Sequence, residues 1–290
     1  MLRGTLTALI TPFKQDGSLD ENALRRLVDF QIEKGIDGLV PCGTTGESPT
    51  LDYDEHNRVI DIVIGQAAGR VPVIAGTGAN STKEAVELTR HASEAGADYS
   101  LQVAPYYNKP TPEGQYRHFM TVADVGLRCI VYNIKGRTGI NIETPILMRM
   151  AEHENIVAVK EASGDIKQMM DVIAQRPEGF SVLSGDDNMI YPLIALGGDG
   201  VISVVSNLMP EETGRLVHSA LDGDYKTARE MHYRLMPIFK GAFIETNPIP
   251  VKAAMAMKGM CEEVYRLPMC EMQPENREKL KGICERMGAL

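Results

Sequence analysis

The chain has 290 residues, of which 30 are Lys or Arg and 39 are Asp or Glu, giving a formal net charge of -9. Hydrophobic residues make up 43% and charged residues 24%, which is typical of a folded globular protein and excludes a disordered or collagen-like chain. The acidic balance argues against nucleic acid and anionic membranes, because both favour clustered Lys and Arg. We find no apolar run of the roughly 18 residues that a spanning helix needs, and no signal peptide, so we expect a soluble cytoplasmic protein without a membrane partner.

Eight short apolar runs, rich in β-branched residues, recur along the chain and predict strands. Their mean spacing is roughly 28 residues, the length of one βα unit. Most are apolar throughout, as expected of parallel strands that are buried on both faces. Eight such units predict an α/β fold, a (β/α)8 TIM barrel. The predicted strands are Thr5–Ile10, Gly38–Cys42, Pro72–Gly76, Tyr99–Ala104, Cys129–Tyr132, Ile156–Lys160, Ser181–Ser184 and Val201–Val205.

The segments between these runs carry helix start and stop signals. Asp20 can cap a helix over Glu21–Lys34. Ser81 and Glu84 fit a capping box that opens a helix ending at Gly96. The predicted segments therefore alternate between strand and helix, as a barrel requires.

The pattern changes after Asp222-Gly223-Asp224, where only helical segments follow the last predicted barrel helix, Pro210–Leu221. We therefore divide the chain into a barrel over 1–223 and a C-terminal helical extension over 224–290. A doubly wound sheet is the structural alternative. It usually shows a Gly-rich dinucleotide loop after its first strand, where this chain has Thr11-Pro12-Phe13.

Several classes of chemistry lack their usual signature. The five cysteines are an odd number without a CxxC pair and predict reduced thiols. The six histidines form no metal-binding spacing, so we predict no metal site. No Gly-x-Ser-x-Gly motif appears, which argues against a serine hydrolase. The usual barrel phosphate site lies after strands seven and eight, where Asp186 and Asp187 would repel phosphate.

Lys160 ends the sixth predicted strand and is the sharpest candidate for a reactive group, because barrel active sites lie at the strand C-termini. A free lysine is only about 0.1% neutral at pH 7.4, and burial that lowers its pKa makes it a nucleophile toward carbonyl compounds. Tyr132 ends the preceding strand and could relay protons to the same cavity. The alternatives are a lysine stem that reaches water or pairs with Glu161, and an amphipathic core tyrosine.

Two further segments at the same end of the barrel could bind carboxylates. The glycines and hydroxyls of Cys42–Ser48, after the second strand, could converge on an anion. Arg137, five residues beyond Tyr132, has a planar guanidinium that suits a second carboxylate, or it is simply a solvated loop charge.

Taken in order, Gly43-Thr44-Thr45-Gly46-Glu47, Tyr132-Asn133, Arg137-Thr138-Gly139 and Lys160-Glu161-Ala162-Ser163-Gly164 resemble the dihydrodipicolinate synthase family. The family belongs to the lyase superfamily that includes N-acetylneuraminate lyase. The resemblance extends over the whole chain and implies condensation of pyruvate with aspartate semialdehyde without metal or organic cofactor. It also implies a homotetramer built as a dimer of dimers.

The resemblance assigns roles to individual residues. Lys160 would form the Schiff base with pyruvate, and Thr44, Tyr132 and a neighbouring subunit's Tyr107 would relay protons. The implied substrate-binding residues are Thr45, Arg137, Gly185 and Ile202, and the implied feedback site for lysine is Ser48, His56, Asn80, Glu84 and Tyr106.

Two positions depart from the family pattern or vary within it. Lys135 stands where the family loop has Pro, which frees the backbone beside Arg137, adds a cation and leaves the second substrate open. Tyr53 stands where other members have His or Trp, beside the implied lysine site. The alternative function is another pyruvate-dependent aldolase, acting on N-acetylneuraminate or a 2-keto-3-deoxy sugar acid. A non-catalytic pyruvate-binding protein is a third hypothesis, and the intact Lys160–Tyr132 pair argues against it.

Overall fold

A computed structural model describes all 290 residues and contains one eight-stranded parallel sheet. The observed strands lie within two residues of the predicted boundaries, and the strand Ser181–Ser184 matches its prediction. They are β1 (Gly4–Ala8), β2 (Gly38–Val40), β3 (Ile74–Gly76), β4 (Tyr99–Val103), β5 (Cys129–Asn133), β6 (Ile156–Glu161), β7 (Ser181–Ser184) and β8 (Gly200–Ser203).

The sheet order β2-β1-β8-β7-β6-β5-β4-β3 places β2 and β3 at its two edges. A parallel bridge between Leu39 and Val73 joins these edges. Two backbone hydrogen bonds support the closure, from Leu39 N to Pro72 O at 3.0 Å and from Gly76 N to Pro41 O at 2.9 Å. The closed parallel sheet with its intervening helices confirms the predicted (β/α)8 TIM barrel.

Twelve helices complete the fold, and α9 has the predicted bounds. Nine of them accompany the barrel, and three follow residue 223. They are α1 (Glu21–Glu33), α2 (Tyr53–Ala67), α3 (Thr82–Ala95), α4 (Pro112–Ala123), α5 (Lys135–Thr138), α6 (Thr144–Met150), α7 (Ile166–Gln175), α8 (Ile190–Ala195), α9 (Pro210–Leu221), α10 (Tyr225–Gly241), α11 (Ile249–Met257) and α12 (Pro274–Met287).

Helix capping follows the sequence at most of the expected positions. Asp20 accepts a hydrogen bond from Ala23 N at 2.9 Å, and Gly96 ends α3 in the left-handed conformation. Only half of the expected capping box forms at Ser81, whose hydroxyl accepts from Glu84 N at 3.5 Å. The Glu84 side chain lines a neighbouring cavity and forms no return bond to the helix start.

The barrel interior is filled by a cluster of apolar side chains from all eight strands and the segments flanking them. Ala158 belongs to this cluster and lies two residues before Lys160 on the same strand, which leaves space below the lysine. The interior cluster is Leu2, Leu6, Ala8, Val40, Ile74, Leu101, Ile130, Tyr132, Ala158, Ala162, Leu183 and Ile202.

The C-terminal helices pack against the barrel and share its largest hydrophobic cluster. This cluster of 27 residues contains Ile10 and Val201 from the barrel as well as Leu235 and Leu280 from the helical extension. Only helices follow α9 in the chain. Because one core spans both parts, a separate domain over 224–290 stays a prediction.

No helix combines the length and apolar character needed to cross a membrane. All five cysteines are free thiols, and Cys42, Cys129 and Cys284 are buried. No group of three or more His, Cys, Asp or Glu side chains is arranged to hold a metal ion.

Candidate active site

Lys160 and Tyr132 lie side by side at the C-terminal ends of adjacent strands. Strands β5 and β6 pair in parallel with Tyr132 opposite Lys160. The lysine Nζ lies 4.1 Å from the centroid of the tyrosine ring. Both residues are only 5% exposed, so Lys160 does not match the alternative of a lysine that reaches water. Tyr132 packs in the interior cluster, as the alternative of a core tyrosine expects, and it also lines the cavity beside Lys160.

The environment of Lys160 raises the fraction of its amine that is neutral near physiological pH. Burial lowers the pKa of Lys160 to about 8, while the carboxylates of Asp186 and Asp187 oppose this shift and Arg137 adds to it. About one fifth of the amine is therefore neutral at pH 7.4. Burial raises the pKa of the Tyr132 phenol, which keeps that hydroxyl protonated as a proton donor.

These two side chains open onto a small cavity of about 30 Å³ at the barrel mouth, which we call the Lys160 cavity. Six residues implied for catalysis or substrate binding line it. Ile202 does not line it and packs in the barrel interior, whereas Val204 lies at the cavity wall. The lining residues implied by the sequence are Thr44, Thr45, Tyr132, Arg137, Lys160 and Gly185.

Gly185 is required by its close approach to the lysine. A methyl group at this position would lie 2.5 Å from the Cβ of Ala162 and 3.1 Å from the Cε of Lys160. The Gly185 N–H donates to Glu161 O at 2.8 Å, which fixes the turn after β7 beside β6. A larger residue would therefore displace the side chains of Ala162 and Lys160.

Asp186 also lines the cavity and supplies a negative charge that sequence reasoning did not assign to the site. Burial raises the pKa of its carboxyl group, and the Lys160 ammonium counteracts this effect. Asp187 has a different role, because it is buried and accepts hydrogen bonds from Ser203 and from the backbone N–H groups of Val204 and Val205. From the sequence we expected both acids only to repel phosphate. That expectation did not distinguish Asp186, which lines the cavity, from Asp187, which holds the backbone after β8.

Arg137 reaches the cavity from α5, a single helical turn. Its Nη2 donates to the carbonyl oxygen of Asn247 at 3.0 Å. Lys135 is the first residue of this turn. The first position of a helix accepts Pro as well as other residues, so Lys in place of the family's Pro is compatible with the local backbone. The Lys135 side chain is exposed and does not line the cavity, contrary to the expected second cation at the site.

Asn247 is a site residue that sequence reasoning missed. Its Nδ2 donates to the Thr45 hydroxyl at 3.0 Å, and its buried Oδ1 has no hydrogen-bond partner. Phe243, from the same segment, also lines the cavity. Both follow α10 in a stretch without a recognisable motif, so no local signal marked them.

Tyr107 lies away from the cavity of its own chain. Its side chain is 91% exposed, and its φ of 69° is left-handed, a conformation that costs energy for a residue other than glycine. It lines neither this cavity nor the two larger cavities of the barrel mouth. Within one chain, the Tyr107 side chain therefore does not reach the cavity beside Lys160.

Most of the residues implied for lysine binding line a second cavity of about 410 Å³, which we call the Glu84 cavity. Ser48, His56, Glu84 and Tyr106 line it together with Tyr53. Burial lowers the pKa of His56 to about 4, so this histidine is neutral at physiological pH. Asn80 does not line the cavity; its carbonyl oxygen accepts a hydrogen bond from Asn108 Nδ2 at 2.8 Å.

A third cavity, of about 220 Å³, lies between the other two. It shares Thr44, Tyr132 and Arg137 with the Lys160 cavity. It shares Ser48 and Tyr106 with the Glu84 cavity. The two sites are therefore joined by adjoining cavities.

Proteins of known sequence match the whole chain. A 4-hydroxy-tetrahydrodipicolinate synthase from Syntrophus aciditrophicus (strain SB) is 54% identical over 291 residues, which is 100% of both chains. A second, from Pelobacter propionicus (strain DSM 2379 / NBRC 103807 / OttBd1), is 51% identical over 291 residues, again 100% of both.

Solved structures match to the same extent. The crystal structure of dihydrodipicolinate synthase from Aquifex aeolicus has a TM-score of 0.98 at 50% identity and covers 99% of each chain. An Acinetobacter baumannii enzyme, chloride inhibited and complexed with pyruvate, has a TM-score of 0.98 at 40% identity over 100% of both chains. An enzyme from Cyanidioschyzon merolae with lysine bound has a TM-score of 0.97 at 38% identity over 99% of both chains.

A sequence model of the dihydrodipicolinate synthetase family matches residues 1–287. This match covers the barrel, the cavity residues and nearly all of the helical extension. It agrees with the resemblance drawn from the ordered motifs. The chain belongs to the dihydrodipicolinate synthetase family.

Proposed function

We propose that the protein is a Schiff-base lyase that condenses pyruvate with aspartate semialdehyde to 4-hydroxy-tetrahydrodipicolinate, the first committed step of the diaminopimelate pathway to lysine. The observation that carries this proposal is the buried Lys160 amine, whose pKa of about 8 makes it nucleophilic at the barrel mouth. The relatives named for this reaction support the substrate assignment. The nucleophile is the chain's own lysine, so the reaction requires neither a metal nor an organic cofactor.

The neutral Lys160 amine attacks the C2 carbonyl of pyruvate, and loss of water from the carbinolamine gives an imine. The protonated imine draws electrons from C3, so loss of a C3 proton forms an enamine. The enamine carbon attacks the aldehyde of the second substrate, whose oxygen takes up a proton. The amino group of that substrate then displaces Lys160 from C2 and closes the ring.

Proton transfers in these steps need a donor and acceptor beside Lys160. Tyr132 lies against the lysine, and Thr44 lines the same cavity, which supports a relay through both hydroxyls. We assign the pyruvate carboxylate to Thr45 and the neighbouring backbone N–H groups. Gly185 gives the imine its space, and Ile202 contributes to the barrel floor below it.

We assign the carboxylate of aspartate semialdehyde to Arg137. Its guanidinium lines the cavity mouth, where a planar donor can bind a carboxylate through two N–H groups. This observation favours the semialdehyde over N-acetylneuraminate or a 2-keto-3-deoxy sugar acid, because sugar hydroxyls would require several neutral partners there.

A trapping experiment tests the proposal. The protein is incubated with pyruvate and reduced with borohydride, and the peptide containing Lys160 should carry the adduct mass. Lys160→Ala should carry none, and the absence of an adduct on the unaltered protein would contradict every imine mechanism. Turnover with aspartate semialdehyde, compared with retro-aldol cleavage of N-acetylneuraminate, then distinguishes the two substrate classes.

We propose that the active form is a homo-oligomer, a tetramer built as a dimer of dimers. The exposed, left-handed Tyr107 supports this, because its hydroxyl can complete a relay only in another subunit. Activity should fall when the assembly dissociates, and Tyr107→Phe should lower turnover without changing the assembly in sedimentation. A fully active monomer would refute the role.

The five free thiols favour a reducing compartment, and we propose the cytoplasm.

We further propose that lysine inhibits the enzyme from the Glu84 cavity, which Ser48, His56, Glu84 and Tyr106 line. Asn80 lies beside this cavity, where its backbone forms a hydrogen bond with Tyr106. The Glu84 carboxylate suits the ammonium of lysine, and the adjoining cavities connect this site with Tyr132. Lysine should inhibit the unaltered enzyme and lose potency against Glu84→Gln. Unchanged rates at millimolar lysine would exclude inhibition.

A further inference from the structure

Two charged side chains that the mechanism does not use are buried against each other. Glu47 lies at the end of the Gly-Thr-Thr-Gly-Glu motif, and Lys252 lies in the first turn of α11. Their side chains are 1% and 0% exposed, and Oε1 of Glu47 lies 2.6 Å from Nζ of Lys252. The ion pair therefore joins a barrel loop to the C-terminal helices.

At the loop end, Glu47 is coupled to the backbone of Thr44. Its N–H donates to the Thr44 carbonyl oxygen at 3.2 Å, and its own carbonyl oxygen accepts from Thr50 N at 3.0 Å. Its φ of 53° is left-handed, which a residue other than glycine keeps only where its surroundings fix it. A displacement of Glu47 would therefore move the peptide that carries the Thr44 hydroxyl.

At the helix end, Lys252 is coupled to Asn247. The Lys252 N–H donates to the carbonyl oxygen of Pro248 at 3.0 Å, one residue after Asn247. Asn247 in turn contacts Thr45 through its Nδ2 and Arg137 through its carbonyl oxygen, each at 3.0 Å. One short segment thus supports binding residues from two different barrel loops.

The ionic character of this contact has a consequence for function. Burying two charges carries a desolvation penalty, and apolar side chains of similar size often stabilise a fold equally well. An ion pair supplies direction instead, because its hydrogen bonds fix the relative position of both partners. The second carboxylate oxygen of Glu47 accepts from Arg266 N at 3.3 Å, so both oxygens have partners.

We propose that Glu47 and Lys252 are positioning residues for the pyruvate site. Their ion pair holds the Gly43–Ser48 loop on α11, and this contact sets the hydroxyls of Thr44 and Thr45 relative to Lys160. The inference rests on the proposed imine mechanism. It assigns to the C-terminal helices a direct part in substrate binding.

The test compares kinetics with stability. The double variant Glu47→Gln/Lys252→Met removes both charges and leaves no unpaired ion in the interior. We expect its KM for pyruvate to rise at least about tenfold and its kcat to fall, because small misplacements of binding groups have large effects on rate. Arg277→Met, which breaks the part-buried Glu263–Arg277 pair at 2.7 Å, is the control and should leave both constants unchanged.

Two further measurements complete the test. Glu47→Gln alone keeps the size of the side chain and decides the question if the double variant does not fold; its KM for pyruvate should rise severalfold. Normal KM and kcat in either folded variant, whatever its melting temperature, would overturn the positioning role. Borohydride trapping on the unaltered enzyme tests the imine mechanism independently, so failure of that mechanism is distinguishable from failure of this inference.

Discussion

The rate of reaction with pyruvate should rise with pH, reach half of its maximum at about pH 8 and level off roughly one pH unit higher, because only neutral Lys160 attacks the carbonyl. Burial lowers the pKa of Lys160 from 10.5 to about 8. At pH 7.4 this shift raises the neutral fraction from about 0.08% to about 20%, roughly 250-fold. The Tyr132 pKa is raised by burial, so this phenol adds no descending limb below pH 9.

Asp186→Asn changes this profile in a defined direction. The Asp186 carboxylate stabilises the Lys160 ammonium and raises its pKa, in opposition to burial. The neutral amide removes that attraction, so the midpoint should move to lower pH. Asp171→Asn makes the same chemical change at an exposed position on α7 that does not line the cavity, and it should leave the midpoint unchanged.

The measurement is kcat/KM for pyruvate from pH 6 to pH 10.5, because this ratio reports the ionisation of the free enzyme. Borohydride trapping at fixed pyruvate provides a second readout that does not depend on aspartate semialdehyde. A midpoint near that of free lysine would refute the argument from burial. A midpoint that moves to higher pH in Asp186→Asn would refute the electrostatic argument.

Three further predictions follow from the same geometry. Gly185→Ala should lower the yield of trapped adduct at least tenfold, because the new methyl would lie 3.1 Å from the Lys160 Cε; an unchanged yield would contradict the packing. Lys160→Met should raise the free energy of unfolding at pH 7 by up to about 3 kcal/mol in urea titrations, because the buried ammonium is disfavoured. Stability of the unaltered protein should correspondingly rise between pH 8 and about 10.5, where the unfolded chain binds the additional proton, and a flat profile would exclude this cost. Arg137→Ala should keep the adduct and lose about 100-fold in turnover with aspartate semialdehyde, whereas Lys135→Ala should match the unaltered enzyme; normal kinetics in Arg137→Ala would refute its role.

Much of the fold could be predicted from the sequence because its signals are local. Apolar runs at a spacing of about 28 residues identified the eight strands, and turn residues identified most helix ends. Lys160 could be selected for the same reason, since a lysine at the end of an apolar strand has a defined place in a barrel. The ordered motifs then identified the family.

The pairings across the chain were decided only by the tertiary structure. Asn247 contacts Thr45 across 202 residues, and Lys252 pairs with Glu47 across 205 residues. Neither Asn247 nor Lys252 lies in a recognisable sequence pattern, because Asn and Lys in a helical tail are ordinarily surface residues. Their burial appears only when the tail folds over the barrel mouth.

The sequence by itself therefore determined the barrel, the family and the identity of the candidate nucleophile. Only the tertiary structure decided the chemical state of that nucleophile and the groups that surround it. The pKa of Lys160 depends on the water excluded around it and on Asp186, Asp187 and Arg137, which approach it from other loops. Desolvation and charge proximity are properties of three-dimensional packing, and neither is encoded in the residues adjacent to Lys160.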